Sequence, residues 1–215
     1  MKKHLILLCS LLTLCSTHLY AQDKVDLHAN MTCDINFLPS IGDLSSAFTL
    51  GSTDDFHAPY APSANLGLGI GIDIGRFSVD LRADVGLGYY SNNTITNDKQ
   101  DHLSYLTLGA ECWGNEQSAL DAAIGIGMAT SKVYVANRDL DVSQTLQSTS
   151  LIVPITITYW IQRKGGMGYG FRLNYAIPCC KIGEVERVGL SSAGMDLSQI
   201  KINPSTLGLG VIFQL

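Results

Sequence analysis

Apolar and polar residues alternate along most of this chain, and the alternation recurs in eight separate segments. Successive side chains of a β-strand point to opposite faces, so such alternation predicts strands with one apolar and one polar face. In the first segment every odd position is apolar and every even position is polar. The predicted strands are residues 25–35, 65–74, 77–89, 103–113, 119–128, 151–161, 167–177 and 207–215.

The connections between these segments alternate in length. Those after the second, fourth and sixth segments are tight, whereas residues 36–64, 90–102, 129–149 and 178–204 form predicted long loops. Strands of this length can cross a bilayer when tilted, and short turns at one end with long loops at the other are typical of outer-membrane barrels. The pattern therefore predicts an all-β fold, an eight-stranded antiparallel up-and-down transmembrane β-barrel with both termini in the periplasm.

The N-terminus has the pattern of an export signal. Lys2 and Lys3 precede a short apolar run, residues 5–14, which is too short for a membrane helix. We place cleavage after Ala21, so that residues 1–21 form a signal peptide and residues 22–215 form the barrel domain. A lipoprotein signal that uses Cys9 or Cys15 is the alternative. The Ala21-Gln22 junction resembles signal peptides of Bacteroides-type bacteria.

The glycines decide which face of the sheet is the interior. Twelve of them fall at polar-face positions, namely Gly67, Gly69, Gly71, Gly86, Gly88, Gly109, Gly125, Gly127, Gly168, Gly170, Gly208 and Gly210. An eight-stranded barrel has a lumen just wide enough for side chains, so inward glycines make room for larger polar neighbours. A soluble, lipocalin-like secreted barrel remains an alternative, but its outer surface would consist largely of glycine.

Composition and charge argue against two classes of protein, those that bind nucleic acids and those that cross a membrane with helices. Removal of Lys2 and Lys3 takes the count of Lys and Arg from 14 to 12, against 19 acidic residues. A chain this acidic lacks the basic footprint of a nucleic-acid-binding protein. After the signal there is no apolar run of helix-spanning length, so the sequence predicts no transmembrane helix.

The chain resembles small outer-membrane barrels of the OmpA/OmpX type and the general outer-membrane β-barrel domain. The most specific piece is the terminal strand, residues 208–215, which is similar to the C-terminal signal read by the barrel-assembly machinery. It departs from that signal by ending in Leu215 instead of Phe, and by Gly208 where a polar residue is usual. The resemblance implies a Gram-negative outer-membrane location, outer-membrane lipids and the assembly machinery as partners, but no single function.

A polar network is predicted in the lumen. Its six members are Asp80, Arg82, Asp84, Glu111, Asp121 and Arg172, and the lumen also receives Asp26, His28, Asp34 and Asp73. Because buried charges need partners, we expect the two arginines to bridge carboxylates and plug the barrel. The alternative is a narrow, cation-preferring, porin-like pore lined by acids.

An outer-membrane lipid-modifying enzyme is a further alternative. Catalysis would need a His near Ser and an acid, and only His28, His57 and His102 remain after cleavage. His28 is predicted to face the lumen, and the other two to be solvated loop residues beside acids. We therefore expect no catalytic residue.

We expect neither a cofactor nor a metal. Residues 67–71 lack the spacing of a dinucleotide loop, and Asp98, Asp101, Asp139 and Asp141 form no calcium-loop pattern. Cys33 and Cys112 occupy apolar strand positions, whereas Cys179 and Cys180 are predicted to lie in a loop. The sequence thus favours a structural or surface-interaction protein of the cell surface, with an unknown extracellular partner bound by its long loops.

Overall fold

The computed structural model describes residues 25–36, 63–91, 95–115, 117–137, 142–162, 167–188 and 206–215. They contain eight strands: β1 (Val25–Asn36), β2 (Ser63–Ile74), β3 (Phe77–Ser91), β4 (Ile95–Gly114), β5 (Ala119–Asn137), β6 (Val142–Gln162), β7 (Gly168–Arg187) and β8 (Thr206–Gln214). Each strand pairs with the next, and the antiparallel pairing of β8 with β1 closes the barrel. The predicted all-β, eight-stranded antiparallel barrel is confirmed, while the predicted signal peptide lies outside the described residues.

The strands place their apolar side chains outside the barrel. On β2, Leu66, Leu68 and Ile70 are 64%, 67% and 65% exposed, whereas the alternating Asn65 and its inward neighbours are buried. The same alternation holds on β1, β3 and β7. The polar face therefore forms the interior of the barrel. This is the orientation that the glycines on that face predict.

An apolar belt surrounds the barrel. We use this name for the outward apolar residues of all eight strands, such as the series from Met167 to Ile177. Ten residue steps of about 3.3 Å, inclined by roughly 40° to the barrel axis, make a belt about 25 Å tall. Aromatic side chains lie toward its edges: Tyr159, Tyr169 and Phe213 at one end, and Tyr89 and Tyr175 at the other.

Two ends of the barrel can be distinguished by their connections. At the turn end, β2 and β3 are joined by Gly75 and Arg76, and Gly75 has a φ of 61°, which a residue without Cβ adopts at no steric cost. The turn between β4 and β5 is held by Asn115, whose Oδ1 accepts backbone hydrogen bonds from Gln117 and Ser118, both of 2.8 Å. The opposite end is called the loop end here.

Strands extend into three of the predicted long loops. β4, β5, β6 and β7 have 20, 19, 21 and 20 residues, so they continue into the segments 90–102, 129–149 and 178–204. Cys179 and Cys180 accordingly lie in β7 and not in a loop. The prediction failed because polar residues occupy the outer face there, which removes the contrast between faces while the strand pairing continues. Residues 37–62 of the first predicted loop lie outside the described part of the chain.

The outer face changes character near the loop end. On β5 the outward series passes from Met128 to Thr130 and Lys132, and on β6 it passes from Leu151 to Thr149 and Gln147. We call the outward residues of β4, β5 and β6 beyond this change the upper sheet: Asp98, Gln100, His102, Thr130, Lys132, Tyr134, Thr145, Gln147 and Thr149. Among the described residues there is no helix long and apolar enough to cross a membrane.

Candidate functional site in the barrel interior

Glycine positions on β2 bring its two neighbouring strands into contact. Gly71 pairs with His28 on β1 and with Asp80 on β3, and Gly69 occupies the same position between Asn30 and Arg82. A Cβ at Gly71 would lie only 2.5 Å from His28 Nε2 and 2.6 Å from Asp80 Oδ1. The side chains of β1 and β3 therefore meet across β2, which explains how residues about 50 positions apart form hydrogen bonds.

The first of these contacts is a carboxylate–histidine–carboxylate arrangement near the turn end. His28 Nε2 lies 2.8 Å from Asp80 Oδ1, and Nδ1 lies 3.3 Å from Asp73 Oδ2. Asn30 Nδ2 donates a second hydrogen bond of 3.0 Å to Asp80 Oδ1. His28 thus has a carboxylate close to each of its ring nitrogens inside the lumen.

Arg82 crosses β2 one step further toward the loop end. Its Nη1 donates to Asn30 Oδ1 at 2.7 Å, and its Nη2 donates to Thr32 Oγ1 at 3.0 Å. We expected both arginines to bridge carboxylates, but the described hydrogen bonds of Arg82 go to neutral oxygens. Gly69 separates Arg82 from Asn30 and has no side chain, so the guanidinium of Arg82 reaches Asn30. The charge of Arg82 acts on the nearby acids without a described hydrogen bond to them.

Arg172 on β7 lies at the centre of a second cluster of polar side chains, about halfway along the lumen. Its Nη2 donates to Tyr105 Oη at 2.7 Å, and Tyr105 in turn donates to Asp84 Oδ2 at 2.6 Å. Arg172 also lies within ion-pair distance of Asp34 and Asp84, at 3.6 Å and 4.0 Å. Asn174 donates to Asp34 Oδ2 at 2.6 Å. All five side chains are buried. Each charged group among them has a charged or hydrogen-bonding partner, as buried charges require.

The turn end of the lumen holds the remaining predicted acids. Glu111 and Asp121 are cross-strand partners on β4 and β5. Asp121 Oδ2 accepts a 2.7 Å hydrogen bond from the indole nitrogen of Trp160. The ring of Trp160 packs with Ala119 and Ile212 in a small apolar cluster. This cluster narrows the interior at the turn end.

The interior is divided into small spaces. A cavity of about 50 Å³ is lined by His28, Arg82, Asp121 and Arg172 among others, and a second of about 10 Å³ is lined by Asp84 and Tyr105. The larger has room for roughly three to five water molecules, since one water needs about 10–15 Å³ of such volume. Arg172 lines both cavities, and a cluster of buried residues, called the apolar layer here, lies beside it: Leu103, Tyr105, Ala129, Ile152 and Ala176.

The interior is also filled toward the loop end. Lys99 and Asp101 form a buried ion pair on β4, and Ser131 Oγ donates to Asp101 Oδ1 at 2.6 Å. Val133 and Leu146, each 1% exposed, fill the same region. Asp101 lies in the segment 90–102 that was predicted to be a loop, but it points inward because it continues the alternation of β4.

The structure separates His102 from its expected acid. His102 pairs with Val85 and Thr130 on the outer face, whereas Asp101 points to the interior. His57, Asp139 and Asp141 lie outside the described residues. Within the described ranges no group of three His, Cys, Asp or Glu side chains could hold a metal ion.

The six residues of the predicted network lie at three levels. Asp84 and Arg172 meet at mid-height, Asp80 and Arg82 lie on β3 toward the turn end, and Glu111 and Asp121 lie at the turn end itself. Sequence reasoning left out the neutral partners that complete the hydrogen bonds: Asn30, Thr32, Tyr105, Trp160 and Asn174. Period-two parity places Asn30, Thr32, Tyr105 and Asn174 inward. The same parity places Trp160 on the face of Thr156 and Thr158, the predicted polar face of its segment.

No protein-family model matches this sequence, and no curated protein matches it. Among solved structures, Neisserial surface protein A is similar at 11% identity, with a TM-score of 0.49 over 90% of this chain and 99% of that chain. Ail, the attachment invasion locus protein of Yersinia pestis, is 12% identical with a TM-score of 0.42, again over 90% and 99%. A major outer membrane protein from Thermus thermophilus is 11% identical with a TM-score of 0.48, over 87% and 99%. At these identities the likeness concerns the fold alone.

Proposed function

We propose that this chain is a bacterial outer-membrane protein of the surface-interaction type, in which a closed barrel anchors an extracellular upper sheet. The observation that carries the proposal is the apolar belt, because it exposes large aliphatic side chains on every strand. Its height of about 25 Å equals the lipid-facing band of outer-membrane barrels. A soluble barrel would need these residues inside, where the chain instead has Asp, Arg and Gly.

Closure of the sheet supports the same location. In hydrocarbon every backbone N–H and C=O must be paired, and a barrel achieves this by having no free edge in the bilayer. The pairing of β1 with β8 supplies the last contact. In this proposal the turn end and both termini lie in the periplasm, outer-membrane lipids surround the belt, and the barrel-assembly machinery recognises β8.

The upper sheet is the part of the barrel best placed to meet a partner. β5 continues for nine residues beyond Met128, which at about 3.3 Å per residue and a tilt of roughly 40° carries it about 23 Å past the belt. Its outward rows are mixed in character: Gln100, Lys132 and Gln147 form one, and Asp98, Tyr134 and Thr145 form the next. In this proposal paired strands, which extend into segments predicted as long loops, present the interaction surface.

The interior argues against the pore alternative. The Arg172 cluster and the apolar layer next to it occupy the middle of the lumen, and the described cavities are too small for a continuous hydrated path. An ion would have to displace paired, buried charges to pass, which is costly. In this proposal the polar interior stabilises the barrel and does not conduct.

The enzyme alternative has no geometric support among the described residues. His28 is held by two carboxylates inside the barrel, away from lipid. His102 faces outward without the neighbouring Asp101. The proposal is therefore a non-enzymatic one.

Epitope insertion tests the location and orientation together. One epitope is inserted between residues 139 and 140, in the β5–β6 connection, and a matched epitope is inserted after Asn115 in the β4–β5 turn. Intact cells that express the first variant should bind the antibody, whereas the second should bind only after the outer membrane is permeabilised. Antibody binding to the second variant in intact cells, or to neither variant in either preparation, would contradict the proposal.

A further inference from the structure

Two adjacent cysteines interrupt the regular pairing of β7. Pro178 pairs with Ile152 of β6, but the next residue of β6, Leu151, pairs with Cys180. Cys179 is therefore an extra residue, and the strand forms a β-bulge there. Proline fits such a position because a bulge leaves a ladder hydrogen bond unmade and proline has no N–H to donate.

The bulge turns both thiols to the same side of the sheet. Pro178 takes the inward position, since its partner Ile152 is 0% exposed in the interior. Cys179 follows an inward residue and so points outward, and Cys180 also points outward because it lies opposite the outward Leu151. Both cysteines are free and exposed. In a regular strand two neighbours would face opposite sides.

The pair lies at the border between the apolar belt and the upper sheet. Leu151 is the last apolar outward residue of β6 toward the loop end, and the next outward row pairs Thr149 with Ile182. Among the described residues, β7 beyond Ala176 pairs with β6 alone, since β8 begins at Thr206 opposite Ala176. The thiols are thus exposed on the outer side of the barrel, on a part of β7 that pairs with β6 alone among the described strands. The contact of Cys179 Sγ with the Ile177 carbonyl oxygen is long, at 4.0 Å.

We propose that Cys179 and Cys180 form a two-sulfur binding site for a soft, thiophilic cation, best fitted by Cu(I). Thiolates are the protein ligands that soft metals select, and the thiolate is the ligating form of cysteine. Binding converts two thiols and one Cu(I) into a Cu(I) bis-thiolate and releases two protons, without a change of oxidation state. Direct bridging of adjacent cysteines by a disulfide would strain the chain, so the two sulfurs are better placed to share a ligand.

The number of ligands selects the ion. A structural zinc site needs four ligands in a tetrahedron, and the described residues contain no group of three potential ligands. Two sulfurs suffice for Cu(I), which accepts low coordination numbers. Within the described residues the site therefore has too few ligands for the more common metals and enough for Cu(I).

The chain contains its own control cysteines. Cys33 lies on β1 and Cys112 is the extra residue of another bulge, between Glu111 and Trp113. Each is exposed on the outer face, but neither is next to another cysteine in the sequence. If adjacency makes the site, these two cysteines should contribute nothing to it.

Competition for Cu(I) tests the proposal. Protein purified from outer membranes in detergent is reduced, kept free of oxygen and titrated with Cu(I) against a chromophoric Cu(I) chelator. The parent and the Cys33→Ser/Cys112→Ser variant should each withdraw one Cu(I) per chain from the chelator. The Cys179→Ser/Cys180→Ser variant and each single variant of the pair should withdraw none. Retained heat-modifiable migration on gels shows that every variant is folded.

A second measurement covers the case in which the double variant does not fold. Alkylation of the folded parent with N-ethylmaleimide, followed by mass mapping of the modified cysteines, should abolish Cu(I) withdrawal. Binding that survives loss or alkylation of Cys179 and Cys180 would overturn the proposal. So would unchanged binding in either single variant, or a thiol count showing that the pair is already joined by a disulfide.

Discussion

Arg172 and Asp34 approach each other across the strand that separates them, with Nη1 and Oδ2 3.6 Å apart. They lie on β7 and β1, and Gly210 of β8 is the direct cross-strand partner of both. A side chain at Gly210 would overlap Asp34, so the contact exists because that position has none. A strand with glycine at its inward positions thus lets side chains of the two flanking strands meet, and such contacts build the polar interior.

Removal of Arg172 should strongly destabilise the barrel. Arg172→Met leaves Asp34 and Asp84 buried without their shared cation, which typically costs about 3–5 kcal/mol in the free energy of unfolding. Urea unfolding of the protein in lipid vesicles, followed by tryptophan fluorescence, measures the loss. Adding Asp34→Asn to the variant removes one orphaned charge and should restore part of the stability. A variant as stable as the parent would show that the cluster is not a structural plug.

Gly210→Ala should lower the free energy of unfolding more than Gly86→Ala does. A Cβ at Gly210 would meet backbone atoms, Cys33 O and Asp34 Cα, the second at 2.6 Å. At Gly86 the nearest atoms belong to the side chain of Asn65, which can rotate away. We expect Gly210→Ala to lose about 1–3 kcal/mol, as overpacking of a filled core does, and Gly86→Ala to lose less. Equal losses in vesicle unfolding would contradict the role of Gly210 as a contact point.

Substitution by arginine should reduce the stability of the protein more on the apolar belt than on the upper sheet. Leu68 lies in the middle of the belt, 67% exposed, whereas Thr145 lies far beyond it on β6. In an outer-membrane barrel, Leu68→Arg should reduce stability in vesicles by about 2–4 kcal/mol and Thr145→Arg by roughly 0–1 kcal/mol. If both substitutions are neutral, the belt does not face hydrocarbon.

A plugged lumen, as proposed above, predicts that the barrel conducts no ions. Purified protein inserted into planar bilayers should give no single-channel steps in potassium chloride, because in the proposal the Arg172 cluster and the apolar layer beside it block the path of ions. An open porin added to the same bilayers controls for insertion and detection. Reproducible, cation-selective steps from the parent protein would instead support the narrow pore.

The strand count and the faces of the strands could be predicted from the sequence because they depend on local alternation. Val25 to Ile35 alternates without error, and the structure places those apolar residues outside. Asn30 and Tyr105 could also be assigned to the interior by parity. Their partners could not be identified, because the register between strands decides which residues meet across a glycine.

Strand length was the main error, and its cause is physical. Beyond Met128 the outward residues Thr130 and Lys132 are polar and several inward ones, such as Val133, are apolar. Alternation relative to a single apolar face is then lost, although backbone pairing continues to Asn137. The bulge at Cys179 was hidden for a similar reason, since one extra residue breaks the parity that the prediction depends on.

Membrane extraction tests the central claim most directly. Outer membranes from cells that produce the protein are washed with urea at high pH and then treated with detergent, and each fraction is run on gels with and without heating. We predict that the protein stays with the membranes until detergent is added and then migrates as a compact, heat-modifiable species. Release of folded protein into the detergent-free wash would contradict the claim that its apolar belt spans a bilayer.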